Sequence, residues 1–195
     1  MADAGRVIAG SAKGVRLAAP GPGTRPMGDR VKQTLFAILD PELPGAAVLD
    51  LFAGSGAGGL EALSRGATRA VFVDRDAGAV RVIGDNLRRA AVDGVATVVR
   101  RDAIAWLADP STDAGPFDLV LVDPPYADTE ALGRALELVG PRVAAQGRVV
   151  AKHFWRETPP TRVGLLASER ERRFGETTLT FYRRVGPNDE EAGEA

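Results

Sequence analysis

Ten residues in the middle of the chain, Phe117-Asp118-Leu119-Val120-Leu121-Val122-Asp123-Pro124-Pro125-Tyr126, constrain its fold most. An apolar run rich in β-branched residues and stopped by two prolines predicts a buried parallel strand. Ligands in open α/β sheets bind outside the carboxyl ends of such strands, so Asp-Pro-Pro-Tyr falls where chemistry is expected. Asp123 offers a carboxylate. The Pro124 carbonyl belongs to a rigid turn with no amide hydrogen of its own. Together they are two acceptors suited to an exocyclic amine, and Tyr126 adds a flat face for a planar base that has left its stack. The same four residues are equally compatible with a plain strand-ending turn, so the rest of the chain has to decide.

The other predicted strands alternate with helices. Ala47 to Phe52 forms the first main strand and runs into Ala53-Gly54-Ser55-Gly56-Ala57-Gly58-Gly59, a turn that brings backbone close to a ligand before a helix carrying Leu60, Glu61 and Leu63. Arg69 to Val73 is the second strand and ends in Asp74, about 20 residues on, where such folds hold ribose hydroxyls. A helix from Ala77 to Ala91 and a strand near Val95 to Arg100 lead to Asp102-Ala103. Asp102 can cap the helix to Leu107, accept from an adenine amine, or do both. Asp128 or Thr129 opens a helix to Val139, Arg148 to Ala151 makes a fifth strand, and Val163 to Arg173 with Thr177 to Arg184 close the sheet as an antiparallel pair. The arginines of that pair, Arg170, Arg172, Arg173, Arg183 and Arg184, read as a solvated face.

Ahead of the alternating part, Val7-Ile8-Ala9 and Val15-Arg16-Leu17 predict a small hairpin, followed by a Gly/Pro-rich loop from Pro20 to Pro26. Asp29 is expected to cap a helix through Leu39, with Val31, Leu35, Ile38 and Leu39 on its apolar stripe. The net charge of −1 hides an uneven distribution. Between Gly5 and Leu35, Arg6, Lys13, Arg16, Arg25, Arg30 and Lys32 face Asp29 alone, whereas the last ten residues hold Asp189, Glu190, Glu191 and Glu194 without a base. The expected organisation is a basic hairpin over residues 1–28, a main domain over 29–185 and a disordered acidic tail over 186–195.

Elimination narrows the chemistry. There is no Cys and His153 is the single histidine, so disulfides, thiolate metal sites and a Cys nucleophile are excluded and no metal is expected. His153 reads as structural. No apolar run is of membrane length, and the expectation is a cytoplasmic protein.

A glycine turn in a strand-helix alternation serves NAD or S-adenosylmethionine equally well. The Asp50-Leu51-Phe52-Ala53-Gly54-Ser55-Gly56 turn with Asp74, Asp102 and Asp123-Pro124-Pro125-Tyr126 resembles the class I S-adenosylmethionine-dependent methyltransferases that modify exocyclic amines. Arg6-Val7-Ile8-Ala9-Gly10, Lys13-Gly14-Val15-Arg16-Leu17, Thr24-Arg25-Pro26, Asp29-Arg30-Val31-Lys32 and Gly59 to Gly66 extend the resemblance to the RsmD family, bacterial 16S ribosomal RNA guanine-N2 methyltransferases. The chain departs from that family at Met27-Gly28, where relatives usually carry two threonines. It departs again near Lys152-His153, where many carry an acidic residue, and no role is transferred there.

The resemblance implies a Rossmann-like α/β fold: a mostly parallel seven-stranded sheet with helices on both faces, an antiparallel last strand and a small amino-terminal β-hairpin. It implies S-adenosylmethionine held by Asp50, Phe52, Ala53, Gly54, Gly56, Asp74, Arg75, Asp102 and Ala103. A guanine would stack on Tyr126 with its N2 amine bound by Asp123 and the Pro124 carbonyl, within the motif completed by Pro125. Arg6, Lys13, Arg16, Arg25 and Arg30 would hold phosphates of 16S ribosomal RNA, in a small subunit or its assembly intermediate, with the enzyme a monomer. DNA adenine, another RNA or a protein glutamine are rival amine substrates. A non-catalytic RNA-binding protein and an NAD oxidoreductase are rival classes.

Overall fold

A computed structural model of the chain describes residues 3–21, 27–112, 114–126 and 128–186. The near-continuous apolar runs form β3 (Ala47–Leu51), β4 (Arg69–Asp74), β5 (Ala96–Arg100), β6 (Phe117–Val122) and β7 (Val143–Phe154), followed by β8 (Arg162–Val163), β9 (Leu166–Phe174) and β10 (Thr177–Arg184). They make one sheet in the order β5-β4-β3-β6-β7-β10-β9-β8. Strands β5 to β7 pair in parallel around β3, while β10 runs antiparallel to both β7 and β9. The predicted seven-stranded arrangement is present, with the two-residue β8 as an added eighth strand at the edge.

Successive strand residues feed opposite layers, because side chains alternate across a pleated sheet. Val48, Leu119 and Leu121 pack with α1 (Asp29–Leu39), α2 (Ala57–Ser64) and α3 (Ala77–Arg89) on one face. Leu49, Leu51, Val120 and Val122 pack with α4 (Ala103–Ala108) and α5 (Thr129–Val139) on the other. Strand β3 is buried at all five positions, as a central parallel strand covered on both faces must be.

The amino-terminal pair is β1 (Asp3–Arg6) with β2 (Arg16–Ala18), offset by a few residues from the predicted apolar pieces. Val7 and Val15 continue the pairing as a turn, with Val7 N–H on the Val15 carbonyl at 2.9 Å and Gly14 N–H on the Val7 carbonyl at 2.9 Å. The hairpin is bonded to α2 and α3 by buried polar side chains. Glu61 accepts the Ile8 amide at 2.7 Å, the Ala9 amide at 3.0 Å and the Arg65 Nε at 2.8 Å. Ser64 donates to the Ala9 carbonyl at 2.6 Å and accepts from the Ala12 amide at 2.9 Å. Asn86 pairs with both backbone groups of Ala18 and donates to the Ser55 carbonyl, each at 2.9 Å. Ala4, Val7, Ala12 and Leu17 complete the contact by entering the same apolar core as the helices.

Three expectations are corrected. Gly28, not Asp29, is the N-cap of α1, and Asp29 lies in the first turn, 3.5 Å from Arg6. Phe36 and Lys32 join Leu35 and Leu39 on the buried face, while Val31 and Ile38 are only half-buried. Lys32, counted in the sequence among the basic residues, is buried: its ammonium donates to the Arg6 carbonyl at 2.5 Å and sits 3.7 Å from Asp29, and burial lowers its pKa from the usual lysine value. Strand β7 runs eight residues longer than predicted, because Gln146 and Gly147 gave no apolar signal although they stay extended on the sheet. The acidic tail beyond Gly186 and the loop residues 22–26 lie outside the described residues.

Candidate active site

The parallel strands deliver their carboxyl ends to one edge, and the predicted motifs meet there. Asp123 follows β6, and its amide donates to the Leu51 carbonyl at 3.4 Å, so Asp-Pro-Pro-Tyr is bonded to the last residue before the glycine turn. The turn is tight. Phe52, Gly54 and Gly56 have φ of +57°, +56° and +75°, and a bulky residue in this left-handed region marks a site where surrounding structure imposes the conformation.

Two acidic residues brace that turn. Asp74 accepts from the Gly54 amide at 2.8 Å and the Asp76 amide at 2.9 Å, leaving acceptor capacity on both oxygens for hydroxyls. Asp50 lies buried beneath and accepts from the Gly59 amide at 2.8 Å in the first turn of α2. Burial pushes its carboxyl up to about 8, against the Gly59 hydrogen bond and with help from the nearby carboxylates Asp123 and Asp74. Ala53 donates to the Val73 carbonyl at 3.2 Å, fixing the turn to β4. Asp102 caps α4 by accepting from the Ala105 amide at 3.0 Å, beside buried Ala103, and Arg75 lies 3.8 Å from the Asp102 carboxylate.

At the centre, one lysine that sequence reasoning left without a role touches both groups of the motif. Lys152, near the end of β7, places its ammonium 2.6 and 2.8 Å from the two oxygens of Asp123 and 5.2 Å from the centroid of the Tyr126 ring. Lys152 is nearly buried, while 28% of the Asp123 side chain stays exposed. Burial raises the Asp123 carboxyl above its ordinary value and the Lys152 ammonium opposes that rise. The available signal was a lysine directly after Val149-Val150-Ala151, since lysine enters a buried strand only when paired. Tyr126 is held from its other end, its hydroxyl 2.8 Å from that of Thr177 at the start of β10. Pro124 is buried and Pro125 exposed. The Pro125 carbonyl accepts from the Asp128 amide at 2.9 Å, and among the described residues no donor reaches the Pro124 carbonyl.

The described basic residues predicted to grip phosphates lie on the hairpin and in the first turn of α1. Arg6, Lys13, Arg16 and Arg30 are exposed, but Arg6 pairs with Asp29 and Arg16 lies 3.5 Å from Asp3. Lys13 sits at the hairpin tip, which docks on Ser64 at the carboxyl end of α2, about 12 Å of helix away from the glycine turn. Arg25 lies outside the described residues. His153 is buried, its ring nitrogens on the Phe154 carbonyl at 3.0 Å and the Thr180 hydroxyl at 2.9 Å, which accounts for it structurally. Among the described residues no group of three or more His, Asp or Glu side chains is placed to hold a metal ion, and no helix is long and apolar enough to cross a membrane.

This arrangement has relatives. A family model described as Conserved hypothetical protein 95 matches residues 5–183. The chain belongs to that family. It is 38% identical over 184 residues to "Putative rRNA methyltransferase YlbH" of Bacillus subtilis, covering 93% of this chain and all of the relative. It is 43% identical over 122 residues to "Ribosomal RNA small subunit methyltransferase D" of Escherichia coli, covering 62% of this chain and 60% of that protein. The RsmD resemblance read from the motifs is therefore the family's. Among solved structures, "Putative methyltransferase yhhF" from Escherichia coli superimposes with a TM-score of 0.79 at 33% identity, over 93% of this chain and 98% of that one. An RNA methyltransferase from Salinibacter ruber, in complex with S-adenosyl-L-homocysteine, shares the fold at 14% identity and a TM-score of 0.65, over 86% and 98% of the two chains.

Proposed function

We propose that this RsmD-family chain transfers a methyl group from S-adenosylmethionine to the exocyclic N2 amine of one guanine in 16S ribosomal RNA. The observation that carries it is the bond between the Asp123 amide and the Leu51 carbonyl, which sets the amine-accepting carboxylate beside the glycine turn. The turn suits the donor: Gly54 and Gly56 open the backbone, and Asp74 presents spare lone pairs. The two named rRNA methyltransferases support the substrate class, and the shared fold bound to S-adenosyl-L-homocysteine supports the cofactor.

In this reading S-adenosylmethionine supplies an electrophilic methyl. The chain's own residues supply position. Gly54, Gly56, Asp74, Asp102 and Ala103 hold the donor at the strand ends. The Tyr126 ring, pinned by Thr177, carries the extruded guanine. Asp123 and the Pro124 carbonyl accept the two N2 hydrogens, which turns the nitrogen lone pair toward the methyl. Positioning of this kind supplies much of a methyl transfer, since holding two reactants in line replaces a bimolecular encounter. After transfer the extra proton of the amine leaves to Asp123 or water.

The test is transfer of labelled methyl to small ribosomal subunits from cells lacking this protein, followed by nucleoside analysis. N2-methylguanosine at a single site is the expected result. Label on DNA, protein or another RNA position would overturn the substrate and keep the methyltransferase; no label from any acceptor would overturn the enzyme. Assay of naked 16S RNA beside subunits separates the two substrate forms, and the proposed setting is a cytoplasmic monomer.

A further inference from the structure

The edge that holds Asp123 also carries an aromatic and cationic surface that no motif announced. Strand β7 runs parallel to β6, so its last residues, Phe154 and the following Trp155 and Arg156, emerge beside Asp-Pro-Pro-Tyr. Strand β9 ends and β10 begins at that same edge, where Phe154 and Phe174 both lie opposite Thr177. The rings form a run: Tyr126 to Phe154 at 6.2 Å and 54°, then Phe154 to Trp155 at 6.1 Å and 51°. Two guanidiniums lie against Trp155, that of Arg173 at 4.0 Å and that of Arg156 at 4.9 Å from the ring centroid. The Trp155 amide is fixed on the Glu176 carbonyl at 2.9 Å, and the Arg173 Nε on the Gly175 carbonyl at 2.9 Å, so the turn between β9 and β10 holds both in place.

We infer that Phe154, Trp155, Arg156 and Arg173 form a second nucleotide subsite, which binds the base and phosphate of the RNA residue next to the one stacked on Tyr126. The inference rests on the RNA reading above. Spacing supports it, because Trp155 lies two ring contacts beyond Tyr126 on one continuous surface. Chemistry supports it as well: aromatic faces and stacked guanidinium planes take the π-face of any base, and guanidiniums take phosphate oxygens. Both arginines are exposed, and among the described residues neither is in a salt bridge, in contrast to Arg6 and Arg16 on the hairpin. A flexible RNA strand leaving the Tyr126 pocket therefore meets these charges first. Glu157 and Glu176 lie in the neighbouring turns, and the two arginines offer contacts for two phosphates at most.

The test uses the full chain with Trp155→Ala, Trp155→Phe and the double variant Arg156→Gln/Arg173→Gln. Methyl transfer to small subunits lacking the modification is measured, together with binding of a mixed-sequence RNA oligonucleotide over a salt series. Trp155→Ala should weaken RNA binding roughly 5- to 100-fold, the range of one lost stacking contact, with Trp155→Phe largely restoring it. The arginine pair should raise KM for the subunit about tenfold at unchanged kcat. It should also flatten the logarithmic salt dependence by about 1.4, two phosphates at ~0.7 each on a single strand. Melting temperature and S-adenosylmethionine affinity should match the parent in all three. Unchanged KM and salt slope in a folded arginine double variant that still methylates RNA would overturn this subsite alone. A parent protein that methylates DNA or protein and no RNA would overturn the RNA reading beneath it.

Discussion

The Lys152 ammonium bridges both oxygens of Asp123, at 2.6 and 2.8 Å, from the buried side of a carboxylate whose other side is open. Burial raises Asp123 above the usual carboxylate value, and Lys152 is the cation that opposes it, with Asp50 as the other titratable neighbour. The ionised carboxylate is the stronger acceptor for an amine hydrogen, and only the ionised form can take up the proton the methylated amine releases. In Lys152→Met burial acts unopposed, so protonation moves to higher pH and the acid limb of kcat/KM follows. Activity should fall on the acid side of the profile, by at most about tenfold for each unit moved, and recover in part as pH is raised, while Lys152→Arg keeps most of the parent profile. A uniform loss at every pH, with the limb unmoved, would sink this role for the lysine.

Asp50 couples the glycine turn to stability in an unusual direction. Its folded carboxyl sits at about 8, above the ordinary value of about 4 in an unfolded chain. Between those values the folded protein holds a proton that the unfolded chain has lost, so this group's contribution to stability declines as pH rises through that window. Asp50→Asn keeps an acceptor for the Gly59 amide and removes the titration. Its urea midpoint should therefore fall less than the parent's between pH 5 and pH 8, leaving the variant the more stable at pH 8. Parallel pH curves would show Asp50 ionised throughout.

Tyr126 and Thr177 make one hydrogen bond between hydroxyls, so their effects should not add. Tyr126→Phe and Thr177→Val each remove about 1 kcal/mol of restraint, a several-fold rise in KM, and the double variant should resemble either single. Tyr126→Ala, which also removes the ring, should lose far more. Additive losses in a double-mutant cycle would mean the two residues act separately.

Gly10 has φ +83°, and a Cβ there would lie 1.7 Å from the Ser64 carbonyl oxygen. Gly10→Ala therefore has to move the hairpin off α2, at a cost of roughly 2–3 kcal/mol from backbone strain and lost packing. Thermal melting should drop, and limited proteolysis should cut between residues 5 and 15 in the variant before it cuts the parent. Melting within a degree of the parent would refute the docking.

How much of this was legible depended on whether the signal was local. Strand ends announced themselves: the two prolines after Val122 and the glycines after Phe52 mark positions where backbone geometry is forced, and Asp50, Asp74 and Asp102 follow from them. Alternation of strands and helices marked an α/β sheet of parallel strands closed by an antiparallel pair, while the order of the strands came only from the structure. Contacts between distant segments left no such mark. Lys32 entered only the count of basic residues because nothing near it in sequence shows the Arg6 carbonyl that it meets, and Lys152 and Thr177 reach Asp123 and Tyr126 only through the pairing of β7 with β6 and β10. Arg173 was read as one of a row of solvated arginines, yet a ring from another strand lies beneath it. Charge counted along the chain pointed to the hairpin; charge located in space also places Arg156 and Arg173 on the aromatic run that starts at Tyr126.

Asn86 joins two other segments, pairing with both backbone groups of Ala18 and donating to the Ser55 carbonyl of the glycine turn. The hairpin is therefore not a detachable targeting tag. An engineer who transplanted residues 3–19 onto another methyltransferase to redirect it would need to carry Asn86, Glu61 and Ser64 along, and one who trimmed residues 3–19 away would strip the buried Asn86 amide of both its Ala18 partners directly behind the glycine turn.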